Sequence, residues 1–184
     1  MTELPYANIR INPKMRKTLT LLFCAAVLFA ADVNRRAPGF SLVDAHGVEH
    51  DLADYRGKLV LLAFTQTNCP HCAVLAETLQ EILEKNSSKV AVLAVVNPPD
   101  NPDAVRAYVA GHKITYPVLF DTGQMAYSYV LNTNMQFPHL YVIDGGGTIR
   151  KDWLYGPLTR DIFEGDQLKT EVDRLLNAGS APKK

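Results

Sequence analysis

The residues whose types and spacing carry the most chemistry are Cys69-Pro70-His71-Cys72, two thiols separated by two residues. The thiolate is the attacking species in disulfide exchange. A helix N-terminus lowers a thiol's pKa below its free value of roughly 8.5, because unpaired N–H groups and the macrodipole favour an anion there. Pro70 suits the first helical turn, where its missing N–H is no loss, so Cys69 stands at a helix start and is the predicted nucleophile. Cys72, one turn on and facing the same way, is placed to attack a mixed disulfide formed at Cys69 and release the product. His71 adds a positive charge beside the thiolate when protonated, which stabilises the reduced form and makes the pair more oxidising.

The flanking sequence must hold this dithiol in place. Lys58 to Phe64 is an almost wholly apolar run, as a central strand covered on both faces must be. After a polar turn at Thr65-Gln66-Thr67-Asn68 the helix continues past Cys72, with Leu75, Leu79, Ile82 and Leu83 on one face. A buried strand thus delivers a dithiol to a helix start.

The strand, the C-x-x-C and the following helix resemble the thioredoxin superfamily. The dipeptide Pro70-His71 is that of the periplasmic oxidant DsbA, while the surrounding sequence looks more like the TlpA and ResA branch. Ala37-Pro38-Gly39-Phe40 through Gly57-Lys58 resembles the opening hairpin and lead-in shared by TlpA-like proteins and peroxiredoxins, the AhpC/TSA-redoxin clan. The resemblance implies an α/β thioredoxin fold: a central mixed β-sheet flanked by helices on both faces, with an extra N-terminal β-hairpin. It also implies an oxidoreductase that exchanges a Cys69–Cys72 disulfide or dithiol with protein thiols, without cofactor or metal.

By the same resemblance Pro138, before the strand His139 to Asp144, is cis and lies against the C-x-x-C, and the backbone of Phe137 offers hydrogen bonds to an extended substrate strand. His139 stands where TlpA-like chains usually carry Thr; it either sits near the dithiol or is a half-exposed strand residue. Phe137, Pro138, His139 and Asn68 form the expected substrate-binding set. Two positions depart from the thioredoxin pattern: Asn68 replaces the usual Trp before the first cysteine, and Ala63 occupies the place of a buried acid. Proton transfer at Cys72 then falls to water, His71 or another group.

Along the rest of the chain, Phe40 to Asp44 and Val48 to Leu52 alternate as a hairpin. Lys89 to Val96 is a second buried strand, followed by a Pro-rich turn at 97–100 and a helix from Pro102 through His112. Tyr116 to Asp121 reads as a strand, Gln124 to Leu131 as a short helix, His139 to Asp144 and Thr148 to Tyr155 as a second hairpin, and Gln167 to Leu176 as a closing amphipathic helix.

With 184 residues, 47% of them hydrophobic, the chain buries one substantial core. Nineteen basic residues balance nineteen acidic ones, and no basic run interleaves with aromatics, so nucleic acid is not an expected partner. Lys14, Arg16 and Lys17 precede an apolar run from Leu19 to Ala31 that ends in small residues, as in a secretory signal. The reading is a signal peptide or N-terminal membrane anchor over 1–31, in which 1–14 precede a second Met and can be a start-site artefact. A linker over 32–38, a thioredoxin-like domain over 39–178 and a tail over 179–184 follow. Cys24 lies inside the leader, so a processed chain keeps only Cys69 and Cys72, in an extracytoplasmic compartment where disulfides persist. The expected partners are protein thiol or disulfide clients and a redox partner protein, with membrane contact only through an uncleaved leader.

Two other functions compete. A peroxiredoxin-like peroxidase needs P-x-x-x-[ST]-x-x-C, but Leu62 and Gln66 stand at those offsets before Cys69, and Thr65 and Cys69 before Cys72. A copper or zinc carrier would use Cys69 and Cys72 with His71 or His139 as ligands, although a single C-x-x-C at a helix start serves redox chemistry better.

Overall fold

Two seven-residue runs with no charged side chain, 59–65 and 90–96, set the centre of the molecule, and every residue in them is buried. The computed structural model describes residues 34–130 and 136–179; the expected leader lies outside them, as does the tail from residue 180. In chain order the elements are β1 (Arg35–Arg36), β2 (Ser41–Val43), β3 (Glu49–Asp51), a 3-10 turn (Leu52–Tyr55), β4 (Leu59–Thr65), α1 (Pro70–Asn86), β5 (Val90–Val96), α2 (Pro102–Gly111), β6 (Val118–Phe120), α3 (Gln124–Tyr129), β7 (His139–Ile143), β8 (Thr148–Leu154), α4 (Arg160–Glu164) and α5 (Gln167–Gly179).

The main sheet has the order β1-β8-β7-β4-β5-β6, and β2 pairs with β3 in a separate hairpin. Strands β4, β5 and β6 are parallel, with Leu59 opposite Val90 and Val96 opposite Phe120. The far half runs antiparallel, with Phe64 opposite His139 and Leu140 opposite Trp153. Parallel neighbours require crossovers, which α1 and α2 supply. Each helix starts on a proline with a side-chain cap: Cys69 before Pro70, and Asn101, which accepts from the N–H groups of Asp103 and Ala104, before Pro102.

Because strand side chains alternate, β4 feeds two cores. Leu59, Leu61 and Ala63 pack with Leu75, Leu79 and Ile82 of α1, Val105 of α2, Phe163 of α4 and Val172 of α5. Val60, Leu62 and Phe64 pack on the opposite face with Met125 and Tyr129 of α3, Leu52 of the 3-10 turn, and Phe40 and Leu42 of the hairpin region. The mixed sheet with helices on both faces and an N-terminal hairpin is therefore the architecture expected, with most of the helical mass on one face.

Three elements differ from expectation. Within the stretch read as a linker over 32–38, Arg35 and Arg36 pair with Ile149 and Thr148 and add an edge strand. Polar composition hid it: the Arg35 guanidinium donates to the Tyr129 carbonyl at 2.6 Å and lies over the rings of Tyr129 and Tyr141, which lets a charged residue enter the sheet. The closing helix runs on to Gly179, and the short helix α4 precedes it where no element was expected.

Candidate active site

Strand β4 ends at Thr65, and the turn that follows is tied to the loop after β5. Thr67 donates to the Asp100 carboxylate through its backbone N–H (3.0 Å) and its hydroxyl (2.5 Å). The turn leads to Cys69, whose extended backbone makes it the N-cap of α1. Its Sγ accepts from the Cys72 N–H at 3.2 Å, and its carbonyl accepts from Cys72 and Ala73 N–H groups. The N-terminal end of the helix thus faces this sulfur, with the Cys72 N–H shared between it and the Cys69 carbonyl, an arrangement that favours negative charge there.

Cys69 and Cys72 are joined as a disulfide with Cα atoms 5.2 Å apart. The two sulfurs are unequal: Cys69 is partly exposed, whereas Cys72 is 1% exposed. Beneath Cys72 is a void of about 10 Å³ lined by Ala63, Thr65, Tyr108 and Tyr116 among apolar neighbours. Ala63 puts no carboxylate there, and the polar atoms around Cys72 are hydroxyls instead. The Tyr108 hydroxyl donates to the Cys72 carbonyl at 3.1 Å. Burial pushes the Tyr108 phenol up to about 12, opposed by a hydrogen bond from Thr65, so it keeps its proton at neutral pH.

His71 is exposed, yet it is held at two points. Its Nδ1 lies 2.5 Å from Glu164 Oε1, and its ring stacks on Tyr155 with centroids 4.3 Å apart and planes within 22°. Glu164 also accepts from the Tyr155 hydroxyl at 2.7 Å and from Arg160 Nε at 2.5 Å. The Tyr155 bond, followed by those of Arg160 and His71, outweighs burial and holds the Glu164 carboxyl at about 2. The same bond to Glu164 raises the Tyr155 phenol. Tyr155 N–H donates to the Pro138 carbonyl at 3.1 Å, so one residue touches both the dithiol motif and the segment that carries Pro138.

Of the other expected site residues, Pro138 is buried and preceded by a cis peptide bond, Phe137 is partly buried against the second core, and Asn68 is exposed at the turn. His139 is not the half-exposed strand residue that was one reading. It is 5% exposed, its Nε2 lies 2.6 Å from Asp152 Oδ1, and its ring stacks on Tyr141 at 4.5 Å. It pairs with Phe64 across the strands and so shares the face turned away from α1. No hydrogen bond or ring contact joins it to the dithiol among the described residues, and there no group of three His, Cys, Asp or Glu side chains converges as a metal-ligand set. Sequence reasoning missed Thr67, Asp100, Tyr108, Tyr155, Arg160 and Glu164; the only local signal was the i, i+4 spacing of Arg160 and Glu164.

A disulfide at the start of a helix, reached from the carboxyl end of a central strand in such a mixed sheet, defines a thioredoxin-like protein. The chain belongs to the AhpC/TSA family, whose model matches residues 33–152, more than half its length. It is 29% identical over 145 residues to the thioredoxin-like protein YneN of Bacillus subtilis, with 78% of each chain covered. It is also 27% identical over 176 residues to the thiol-disulfide oxidoreductase ResA of Geobacillus kaustophilus, covering 89% of this chain and 94% of that one. A thioredoxin-family thiol:disulfide interchange protein from Chlorobium tepidum has a similar fold, with a TM-score of 0.63 at 21% identity over 76% of this chain and 97% of that one.

Proposed function

We propose that the protein is an exported thiol-disulfide oxidoreductase whose Cys69–Cys72 pair exchanges disulfides with client proteins. The observation that carries this reading is the asymmetry of the pair: a partly exposed sulfur capping α1, bonded to a sulfur that is enclosed. A client thiolate reaches Cys69, forms a bond to its Sγ, and expels Cys72 as a thiolate. A second client thiolate then attacks the mixed disulfide, so that the client leaves oxidised and the protein reduced. In the reverse direction Cys69 attacks a client disulfide and Cys72 resolves the product. Phe137 and Pro138 border the site where an extended client segment lies, and the apolar leader at 1–31 directs the domain out of the cytoplasm.

The test is turnover of reduced and oxidised protein clients by single-cysteine variants. Cys69→Ser abolishes exchange while leaving the fold intact, and Cys72→Ser accumulates a client mixed disulfide at Cys69. Activity that survives Cys69→Ser would sink the assignment. Catalytic turnover of peroxide with a small-molecule dithiol as the only reductant, lost in Cys69→Ser, would favour a peroxidase instead.

A further inference from the structure

The His71 side chain, two positions after Cys69 and one before Cys72, is held by groups from a different part of the chain. Glu164 meets its Nδ1, Tyr155 lies flat against its ring, and Arg160 and the Tyr155 hydroxyl occupy the rest of the Glu164 carboxylate. An ionised carboxylate only accepts hydrogen bonds, and Glu164 stays ionised at neutral pH. The hydrogen of the contact therefore sits on Nδ1, and Nε2 is the ring nitrogen left to take or release a proton. This is the carboxylate–imidazole arrangement that fixes a histidine's tautomer and orientation beside a nucleophilic sulfur or oxygen.

We propose that Glu164 is a positioning residue that holds His71 as the general base for the incoming client thiol. The proposal rests on the reading above that Cys69 is the sulfur attacked. The client R–SH approaches Cys69 and gives its proton to His71 Nε2. The thiolate pair then forms the bond to Cys69 Sγ, and the Cys69–Cys72 bond breaks with its electron pair on Cys72. That thiolate takes up a proton from His71 or solvent. The protein disulfide is the only oxidant needed and is itself reduced. Tyr155 also holds the Pro138 carbonyl, so the base and the loop beside which the client lies are referenced to one residue. The titratable and charged groups recorded against His71 are Glu164 and Tyr155 directly and Arg160 through Glu164, with Cys69 and Cys72 flanking it in the chain.

The size of the effect is bounded. A thiol with a pKa of roughly 8.5 is only a few per cent ionised at pH 7, so base assistance there gains at most about thirtyfold and fades once the thiol ionises by itself. The experiment measures, on the full oxidised chain, the rate constant for opening of the disulfide by glutathione between pH 6 and pH 9.5. Glu164→Gln is expected to slow opening about tenfold at pH 7 and to converge on the wild-type rate above about pH 9. In a His71→Phe background, which keeps the aromatic stack, Glu164→Gln is expected to have no further effect. If Glu164→Gln fails to fold, Tyr155→Phe, which keeps the ring and removes one bond to the carboxylate, is expected to show a smaller loss with the same convergence.

A deficit equal at every pH, additivity with His71→Phe, or a wild-type rate at pH 7 would overturn the proposal and reduce the cluster to a brace between α1 and α4. Exchange retained by Cys69→Ser would instead overturn the underlying reading of the site.

Discussion

The proposed division of duties between Cys69 and Cys72 follows from their places: one caps α1 at a partly exposed position and the other is buried in its first turn. The spacing was legible in the sequence, since a C-x-x-C with proline at the first helical turn has few other uses. What surrounds Cys72 was not: Tyr108 lies within the helix expected over 102–112 and carries no signal of its own there, and only the fold brings its hydroxyl to the Cys72 carbonyl. The burial of His139 was hidden for a similar reason, because strand alternation does not reveal that Asp152, on the neighbouring strand β8, meets its ring. Two predictions belong to this scale. Tyr108→Phe keeps the ring but removes the side-chain hydrogen bond that the Cys72 carbonyl accepts in addition to its helix bond, and should cost about 1 kcal/mol in urea unfolding. Glu164 has a native pKa depressed below its unfolded value, so its contribution is present above about pH 4.5 and is lost as pH falls towards about 2. Thermal unfolding at a series of pH values should show wild type losing its margin over Glu164→Gln across that interval, and an unchanging margin would contradict the pairing.

The elements that were easy to read are those whose pattern is long and one-sided. β4 and β5 are seven-residue buried runs, and α1 has both a start signal and an apolar face. β1 and α4 are two and five residues long, too short for periodicity to show, and tertiary partners hold them: the rings under Arg35, and the core that takes Ile162 and Phe163. Since α4 presents Glu164 and Arg160, the part of the site hardest to foresee lies on the element hardest to foresee. Leu61 in β4 is completely buried between β5 and β7 and faces α1. Leu61→Ala should therefore cost about 2–5 kcal/mol in chemical unfolding, whereas a cost below about 1 kcal/mol would mean the core closes around the lost side chain.

At the scale of the whole molecule, the site lies where α/β sheets commonly bind ligands, outside the carboxyl ends of the parallel strands. The turns after β4 and β5 meet there through Thr67 and Asp100, and Tyr155, stacked on His71, bonds the Pro138 carbonyl on the antiparallel side. The sheet and the family were legible because the strand, dithiol and hairpin occur in one order along the chain. The contacts between distant loops were not, because each joins residues that carry no signal alone. The account depends on Cys69 being an ionisable, reachable sulfur and Cys72 an enclosed one. Pulse alkylation of the reduced protein with iodoacetamide across pH 4 to 10, with each cysteine resolved by mass spectrometry, measures both properties. Cys69 should react first, with an inflection below the free-thiol value of roughly 8.5, and Cys72 should stay unmodified in the folded protein; an inflection at or above that value, or Cys72 reacting first, would contradict the account.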